Sequence, residues 1–442
     1  MKRECSVVPP APSSSVTETN GALGLSLIAS YREVRGTTDR LCAPLAVEDY
    51  VVQSMPDASP AKWHLAHTTW FFETFVLAAL PGYRPFHPQY GYLFNSYYNA
   101  IGERVARDRR GTLSRPTVAE VHRYRAAIDE RMLDFLECTS TSELSPWAST
   151  IVLGLNHEQQ HQELILTDIK HAFGTSPLRP VYREQDFRPG MSQEAAPPRW
   201  VTQAEGTRSI GHASPGFSYD NESPRHRVFV AGFRLASRPT TCGEYLEFMA
   251  DGGYRRPELW LSDGWDACRT QGWGAPLYWE GKGADWSIMT LSGMRPIEPS
   301  EPVCHVSYYE ADAFARWSDA RLPTEAEWEV AAAPHAVAGN FLDSGRYHPA
   351  PPSPADSNGS EGFAQLFGDV WEWTQSPYTP YPGYRPATGA LGEYNGKFMC
   401  NQMVLRGGSC ATPQSHIRAT YRNFFPPAAR WQFSGIRLAN DL

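Results

Sequence analysis

Two histidines on one predicted helix provide the clearest chemical signal. The segment Asn156–Glu163 has the sequence NHEQQHQE, which places His157 and His161 four residues apart. Residues i and i+4 of an α-helix lie on the same face, so both imidazoles would leave the helix one turn apart. A helix offers two nitrogen ligands to one metal ion in this way. Apolar residues such as Leu164 and Ile165 continue the stripe, which predicts that the pair faces a bundle interior rather than solvent.

A third ligand is expected from another helix. The run WHLAH supplies His64 and His67, which lie three residues apart and again share a face. Spacing alone does not choose between them. Three neutral nitrogen ligands leave positions open on a metal, where zinc would activate water and iron(II) would bind dioxygen and a thiolate. The residue types leave the choice of metal open.

Tyrosines and arginines follow in the segment from residue 95 to residue 110. Tyr97 and Tyr98 are either core residues or donors of a proton or hydrogen atom in an oxidative reaction. The clustered arginines, Arg107 and Arg110 among them, form either a solvated face or a two-pronged clamp for a carboxylate.

The C-terminal region contains a second group of candidate residues. In RATYRNFF, residues 418–425, Asn423, Phe424 and Phe425 either line a pocket or pack a loop. The glycines of RGGS, residues 406–409, predict close backbone packing rather than phosphate binding, because no helix start follows them.

The N-terminal third of the chain is predicted to form a four-helix bundle. The helices are expected near residues 24–35, from Ser59-Pro60 to Pro81-Gly82, from Thr117 through an apolar repeat of helical period, and from about residue 146 to Phe173. Serine before proline is typical of a helix start, with serine as the capping residue.

The remaining chain has a different character. Residues 176–205 are rich in Pro, Arg, Gln and Glu and read as a linker. From residue 206, short strand-like segments alternate with Gly/Pro/Trp-rich loops and with two short helices, TCGEYLEFMADGG (241–253) and SYYEADAFARWSDA (307–320). This alternation indicates an α+β domain. The predicted organisation is therefore a disordered tail at 1–21, a bundle at 22–175, a linker at 176–205 and a second domain at 206–442.

Composition restricts the class of protein. A length of 442 residues predicts two domains, and a formal net charge of -8 gives no reason to expect a nucleic acid or an anionic membrane as partner. No run approaches the roughly 20 apolar residues that span a bilayer, and the start lacks the apolar region of a secretion signal. The 8 cysteines include no C-x-x-C pair, so reduced thiols and a cytoplasmic location are expected.

Four separated motifs together resemble one known family. SPAKWHLAHTTWFFE, NHEQQHQE, GDVWEWT and VLRGGSC…RATYRNFF…GIRLA are similar to the ergothioneine-biosynthetic sulfoxide synthases. Members of this family fuse a DinB-like four-helix bundle to a domain like the formylglycine-generating enzyme, with a C-type-lectin-like core. The resemblance implies a multidomain α and α+β protein. It also implies a non-haem iron(II) enzyme that uses O2 to join a cysteine-type thiol to hercynine (trimethylhistidine) as a sulfoxide.

The resemblance also implies a set of site residues. Iron(II) would be held by His67, His157 and His161, and hercynine by Gln160 and Asn423. The active site would then lie between the two domains.

Two departures from the family bear on the sulfur donor. Members that use γ-glutamylcysteine carry an acidic residue and an arginine at positions that here hold Phe425 and Ala429. An apolar pair cannot bind the charged γ-glutamyl end, so free cysteine is the predicted donor, giving hercynylcysteine sulfoxide. Arg107 or Arg110 would bind its carboxylate.

Two further roles are predicted on the same basis. Tyr97 and Tyr98 are the candidate catalytic tyrosines. The trimethylammonium group of hercynine requires aromatic or weakly polar walls, for which Phe424, Phe425 and Trp431 are candidates.

Other interpretations remain open. The same reaction with γ-glutamylcysteine is one alternative, and an oxygen-independent, three-histidine DinB-type thiol transferase or hydrolase with zinc or nickel is another. A non-enzymatic binding protein with structural histidines is a third. Sulfatase activation is not expected, because Cys400 and Cys410 lack the spacing of the cysteine pair that formylglycine-generating enzymes use.

Overall fold

The N-terminal region is a bundle of four long helices. A computed structural model of the chain describes residues 14–185, 196–283, 285–352, 362–387 and 389–442. The bundle helices are α1 (Ser14–Cys42), α2 (Ala61–Phe75), α4 (Val118–Cys138) and α5 (Thr141–Thr175), with the short α3 (Tyr90–Phe94) between α2 and α4. The predicted bundle is confirmed, but α1 and α5 are longer than the sequence pattern indicated. Helix α1 begins inside the predicted tail, and residues 1–13 lie outside the described residues.

Local sequence explains how α4 begins but not how α2 begins. Thr117 caps α4 through a reciprocal pair of hydrogen bonds with Glu120, a pattern that satisfies backbone N–H groups at a helix start. Ser59, predicted to cap α2, does not do so. Its backbone N–H donates to Asp168 and its hydroxyl accepts a hydrogen bond from Arg110, because the tertiary fold brings both side chains to it.

The bundle core combines an apolar stripe with a buried charge network. On α4, Val121, Ile128 and Met132 are fully buried at helical spacing. On α5, Glu158 is 0% exposed and accepts hydrogen bonds from Arg35 of α1 and Arg125 of α4. The two guanidinium groups hold the pKa of Glu158 down to about 2, although burial opposes this shift. The ion pairs therefore compensate the cost of burying the carboxylate.

The described residues of the C-terminal domain form four small sheets. Its strands are β1 (Trp200–Gln203), β2 (Gly206–Ile210), β3 (His226–Val230), β4 (Phe233–Ala236), β5 (Trp279–Lys282), β6 (Asp285–Thr290), β7 (Gly293–Pro296), β8 (Trp371–Pro377), β9 (Met403–Arg406), β10 (Asn423–Phe425), β11 (Ser434–Gly435) and β12 (Ala439–Asp441). In the described residues, the strand orders are β1-β4-β12, β10-β9-β8-β11, β2-β3 and β5-β6-β7. All neighbouring strands are antiparallel except β8 and β11.

Four helices pack around these sheets in the described part of the domain. They are α6 (Cys242–Ala250), α7 (Ser262–Gln271), α8 (Tyr308–Trp317) and α9 (Glu325–Ala332). The two predicted helices correspond to α6 and α8. Helices α7 and α9 are not among the predicted ones. Helix α7 has no side-chain cap, but Thr324 and Glu327 form at the start of α9 the same kind of capping pair that begins α6 and α8. The irregular, loop-rich character expected from composition is confirmed.

The segment predicted as a linker is partly structured. Strand β1 lies within it and pairs with β4, so that Val201 is opposite Leu235. Four residues are too short to show a clear period, which is why the pattern was not visible in the sequence. Residues 186–195 lie outside the described residues.

Glu163 joins the two domains directly. Its buried carboxylate, on α5, accepts hydrogen bonds from Trp371 Nε1 (2.8 Å), Ser409 Oγ (2.6 Å) and Thr412 Oγ1 (2.7 Å). Gly407 precedes this contact with a φ of +100°, and a Cβ there would lie 2.8 Å from the carbonyl oxygen of Leu366. The RGGS glycines therefore serve close packing, as predicted.

Among the described helices, none is both long and apolar enough to cross a lipid bilayer.

Candidate metal centre

Three buried histidines converge where α2 faces α5. His67 comes from α2, and His157 and His161 come from α5; one ring nitrogen from each lies within 4.8 Å of the others. The Nε2 atoms of His67 and His157 are 3.2 Å apart. Two metal–nitrogen bonds of about 2.1 Å at a right angle would place their nitrogens about 3 Å apart. The donor set therefore fits one transition-metal ion.

Burial keeps these imidazoles neutral. It lowers the pKa of His157 to about 3 and the pKa values of His67 and His161 well below the ordinary value, with the neighbouring histidines adding to the effect. A neutral imidazole keeps a lone pair for a metal ion. Three such rings in a water-poor space form a ready-made ligand set.

His67 is held rigidly by its surroundings. Its Nδ1 lies 2.6 Å from the carbonyl oxygen of Phe94. Because a carbonyl oxygen can only accept a hydrogen bond, the ring proton is on Nδ1, and Nε2 keeps a lone pair with which it can bind a metal ion. Its ring stacks between Trp63 and Trp70, with centroids 4.5 and 5.6 Å away. The three side chains are at helical spacing in WHLAHTTW, so this clamp follows from the register of α2.

His64, the alternative third ligand, has both nitrogens engaged. Its Nδ1 lies 2.7 Å from Nδ1 of His161, and its Nε2 lies 3.0 Å from Oδ2 of Asp168. His64 contacts the centre through His161, while His67 is the third member of the histidine cluster. The structure thus separates two histidines that spacing alone could not distinguish.

The predicted tyrosines lie one ring away from the histidines. Tyr98 is buried and packs on Trp70 at 5.7 Å. Tyr97 packs on Tyr394 at 5.8 Å, and Tyr394 in turn lies 5.6 Å from His157. Burial raises the pKa of all three phenols, so each carries its proton at neutral pH. Tyr394, which sequence reasoning missed, is nearer to a histidine of the centre than either predicted tyrosine.

A directed chain of hydrogen bonds crosses the domain boundary at Gln160. The Tyr394 hydroxyl donates to Gln160 Oε1, and Gln160 Nε2 donates to the Tyr421 hydroxyl (2.7 Å). Tyr421 lies 3.0 Å from Nε2 of His416, whose Nδ1 lies 3.0 Å from Oδ1 of Asn156. Because the Asn156 oxygen accepts, Nδ1 of His416 donates and Nε2 accepts from Tyr421. The chain fixes which way the amide of Gln160 faces.

A cavity of about 640 Å³ opens between the domains beside this chain. Val152 and Leu153 of α5 line one side, and Phe217 and Tyr219 line the other. Tyr394 belongs both to the cavity wall and to the surroundings of His157. A largely apolar cleft with a few polar groups at a domain boundary is typical of a small-molecule site.

The two candidate arginines have different environments. Arg110 is 5% exposed, donates to the hydroxyls of Ser59 and Ser96 (2.9 Å each), and stacks on Trp63 with its guanidinium carbon 3.4 Å from the ring centroid. Within the described ranges, no carboxylate forms an ion pair with it. Burial, reinforced by Arg107, lowers the pKa of Arg110 well below its usual value, because the charge is poorly compensated. Arg107 is exposed and donates to the carbonyl oxygen of Asp57.

The remaining predicted residues lie together on β10. The side chain of Asn423 accepts a hydrogen bond from the backbone N–H of Phe424. Phe424 stacks on Tyr378 at 4.0 Å, and Phe425 packs on Trp431 at 6.1 Å. No hydrogen bond or ring contact joins these three residues to the histidine cluster in the described structure, so their predicted roles in binding hercynine remain predictions.

Comparisons with known proteins agree with this architecture. Residues 30–165 match the DinB superfamily, and residues 187–442 match the Sulfatase-modifying factor enzyme 1-like domain. The hercynine oxygenase of Mycolicibacterium thermoresistibile is 32% identical over 415 residues, covering 88% of each chain. That of Mycolicibacterium smegmatis is 32% identical over 416 residues, covering 88% of this chain and 93% of the relative.

A more distant relative matches about half of the chain. The formylglycine-generating enzyme of Streptomyces coelicolor is 28% identical over 270 residues, covering 51% of this chain and 83% of the relative. The predicted fusion of a DinB-like bundle with a formylglycine-generating-enzyme-like domain is confirmed. With similarity to two hercynine oxygenases over 88% of its length and a buried three-histidine centre, the chain belongs to the hercynine oxygenase family of enzymes.

Proposed function

We propose that this protein is an O2-dependent, non-haem iron(II) sulfoxide synthase that joins cysteine to hercynine. One C–S bond and one S=O bond form, while the ring C–H and the thiol S–H are lost. Dioxygen accepts four electrons; one of its oxygen atoms enters hercynylcysteine sulfoxide and the other leaves as water. The observation that carries the proposal is the convergence of three neutral imidazoles in a chain of this family.

Iron is the metal that matches the reaction. His67, His157 and His161 would hold it. Ferrous iron combines redox chemistry with O2 and affinity for thiolate, whereas zinc has no redox chemistry. The protein contributes three fixed nitrogen donors and a water-poor surrounding. The buried phenols supply protons, and Tyr394 is the nearest of them to His157.

Gln160 is the residue proposed to hold the imidazole substrate. It lies directly before His161 on α5, and the chain through Tyr421 and His416 sets the orientation of its amide. A fixed amide orients a ligand because its donor and acceptor ends differ. The adjoining cavity, whose wall includes Tyr394, the hydrogen-bond partner of Gln160, is the proposed route by which the two small substrates enter.

Arg110 is the proposed anchor for the carboxylate of cysteine. Its guanidinium is buried, has only hydroxyl partners among the contacts described, and stacks on Trp63, which itself stacks on His67. A carboxylate would supply the missing counter-charge through a charge-assisted hydrogen bond. Arg107, the other candidate, is exposed, so the structure favours Arg110.

Apolar residues support cysteine over γ-glutamylcysteine. Phe425 packs on Trp431, and Ala429 is 2% exposed, so neither position offers a charge to a second carboxylate or amine. Burying an unpaired charged group beside these residues would be costly. The shorter donor is therefore proposed.

The test compares both donors in one assay. Protein loaded anaerobically with Fe2+ is mixed with hercynine and either cysteine or γ-glutamylcysteine, and oxygen consumption is followed together with sulfoxide formation. We expect one O2 per sulfoxide and a clear preference for cysteine in kcat/KM. Preference for γ-glutamylcysteine would refute the donor assignment. Equal turnover without oxygen, or with Zn2+ in place of Fe2+, would instead favour the thiol-transferase alternative.

A further inference from the structure

The three histidines of the metal centre differ in how the nitrogen facing away from it is supported. Nδ1 of His67 meets the backbone carbonyl of Phe94 at 2.6 Å, and Nδ1 of His157 is buried without a hydrogen-bond partner in the described structure. Nδ1 of His161 instead meets another imidazole, that of His64, at 2.7 Å. His161 is thus supported by a side chain from the opposite helix.

The direction of each hydrogen bond can be assigned from its acceptor. Oδ2 of Asp168 accepts from the backbone N–H of Ser59 (2.8 Å) and lies 3.0 Å from Nε2 of His64. A carboxylate accepts, so His64 carries its proton on Nε2 and has a lone pair on Nδ1. His161 must then donate from Nδ1, which leaves its Nε2 lone pair for a metal ion. One tautomer of each ring satisfies every contact.

We propose that Asp168 and His64 are positioning residues that orient His161 and strengthen it as a metal ligand. This inference rests on the proposed metal centre. A ligating histidine commonly donates its other N–H to a carboxylate or carbonyl, which fixes the ring and raises its basicity. Here the carboxylate acts through an intervening imidazole.

Burial makes this relay effective. His64 is 2% exposed and Asp168 is 7% exposed, so water competes little for either hydrogen bond. In such surroundings consecutive hydrogen bonds polarise one another. The negative charge of Asp168 therefore increases electron density on His64 and, through it, on His161. His157 lacks this support, so the relay acts on one ligand of the three.

Asp168 has a second neighbour that the test must separate from the relay. Ser59 donates its backbone N–H to Asp168 and accepts at its hydroxyl from Arg110. A change at Asp168 therefore alters the charge balance of Arg110 as well. Changes at His64 leave Asp168, Ser59 and Arg110 in place and report on the relay alone.

The experiment measures metal affinity without turnover. The full-length parent and the variants His64→Phe, His64→Gln and Asp168→Asn are titrated anaerobically with Fe2+ against a coloured chelator, and with Co2+ followed by its visible spectrum. We expect Fe2+ affinity to fall about 10- to 100-fold in His64→Phe and Asp168→Asn, the range for removing such a partner. His64→Gln should lose less, because its amide can accept from His161 and donate to Asp168. The Co2+ spectrum should shift most in His64→Phe.

His305 provides the matched control. It is a buried histidine that contacts Lys170 at 2.7 Å, and it does not belong to the metal centre. His305→Gln should bind Fe2+ as the parent does, and melting temperatures of the metal-free proteins identify any variant with a damaged fold. If His64→Gln matches His64→Phe, hydrogen bonding is not the cause and the relay is refuted.

The results also separate the relay from the proposed function. Parent-like Fe2+ affinity in both His64→Phe and Asp168→Asn would overturn the relay, as would an equal loss in His305→Gln. A parent that binds no Fe2+ would refute the metal centre and, with it, the relay. A parent that binds Fe2+ in a relay-dependent manner but forms no sulfoxide would refute only the proposed function.

Discussion

The bundle and the C-terminal domain fix their buried charged groups on different kinds of structure. In the bundle, Glu158 is one residue from His157 on a 35-residue helix, and its partners Arg35 and Arg125 also come from helices. In the C-terminal domain, the carboxylate of Glu325 forms ion pairs with Arg406, which is on β9, and with Arg422, which is on a loop. Both arrangements bury charge by pairing it.

This difference indicates a division of roles. Ligands on regular helices have positions fixed by register, because residues four apart always share a face. Side chains on loops are fixed only by their tertiary partners, and loops tolerate sequence change more readily. We infer that the bundle determines the metal centre, while the C-terminal domain orients the substrate-binding amide of Gln160 through the hydrogen bonds of Tyr394 and Tyr421. The following predictions test that division, from the largest expected effect to the smallest.

Removing a bundle histidine should abolish both metal binding and activity. His157→Ala leaves two ligands, which cannot hold Fe2+ at micromolar concentrations in competition with a chelator. Iron content after gel filtration and sulfoxide formation provide the measurements. His171→Gln on the same helix is the control, because His171 bonds to Ser54 away from the centre. Retention of stoichiometric iron by His157→Ala would contradict the assigned ligand set.

Breaking the contact at Glu163 should cost stability and uncouple the domains. Glu163→Ala leaves Trp371 Nε1, Ser409 Oγ and Thr412 Oγ1 without their carboxylate, and we expect a loss of about 3 kcal/mol in the free energy of unfolding. Denaturant unfolding measures this change. Glu137→Ala removes a surface ion pair with Arg32 and should cost less than about 1 kcal/mol. Equal losses in the two variants would show that Glu163 is not a specific link.

Arg110 should affect cysteine far more than hercynine. Arg110→Met removes the proposed carboxylate partner, and we expect the KM for cysteine to rise about 10- to 100-fold, the effect of one charge-assisted hydrogen bond. The KM for hercynine and the iron content should change little. Arg107→Met is the control and should behave as the parent. A larger effect of Arg107→Met on the KM for cysteine would reverse the assignment.

A substitution at Tyr421, a loop residue of the C-terminal domain, tests the role of that domain and has the smallest expected effect. Tyr421→Phe removes the hydroxyl that joins Gln160 to His416, and we expect the KM for hercynine to rise about 2- to 10-fold. Steady-state kinetics with hercynine varied at saturating cysteine measure this effect. Tyr50→Phe removes a similarly buried hydroxyl that bonds to Cys42 and should leave the KM for hercynine unchanged. An unchanged KM in Tyr421→Phe would mean that Gln160 does not need this support.

The sequence determined the features that depend on periodicity. Helical spacing identified His157 and His161 as a pair facing inward, limited the third ligand to His64 or His67, and predicted the four-helix bundle with its second, loop-rich domain. These features are local, because a helix converts spacing along the chain into positions on one face. The capping pair at Thr324 was equally readable and would have revealed α9.

Only the tertiary structure decided which groups meet between distant segments. It brought His64 within hydrogen-bonding distance of Asp168 and His161 and placed Tyr394 beside His157. It also buried Arg110 and left Arg107 exposed. Tyr394 comes from an irregular segment, where no periodicity constrains the direction of a side chain. Its position depends on closure of the C-terminal domain over the bundle, and such long-range packing is not encoded in local spacing.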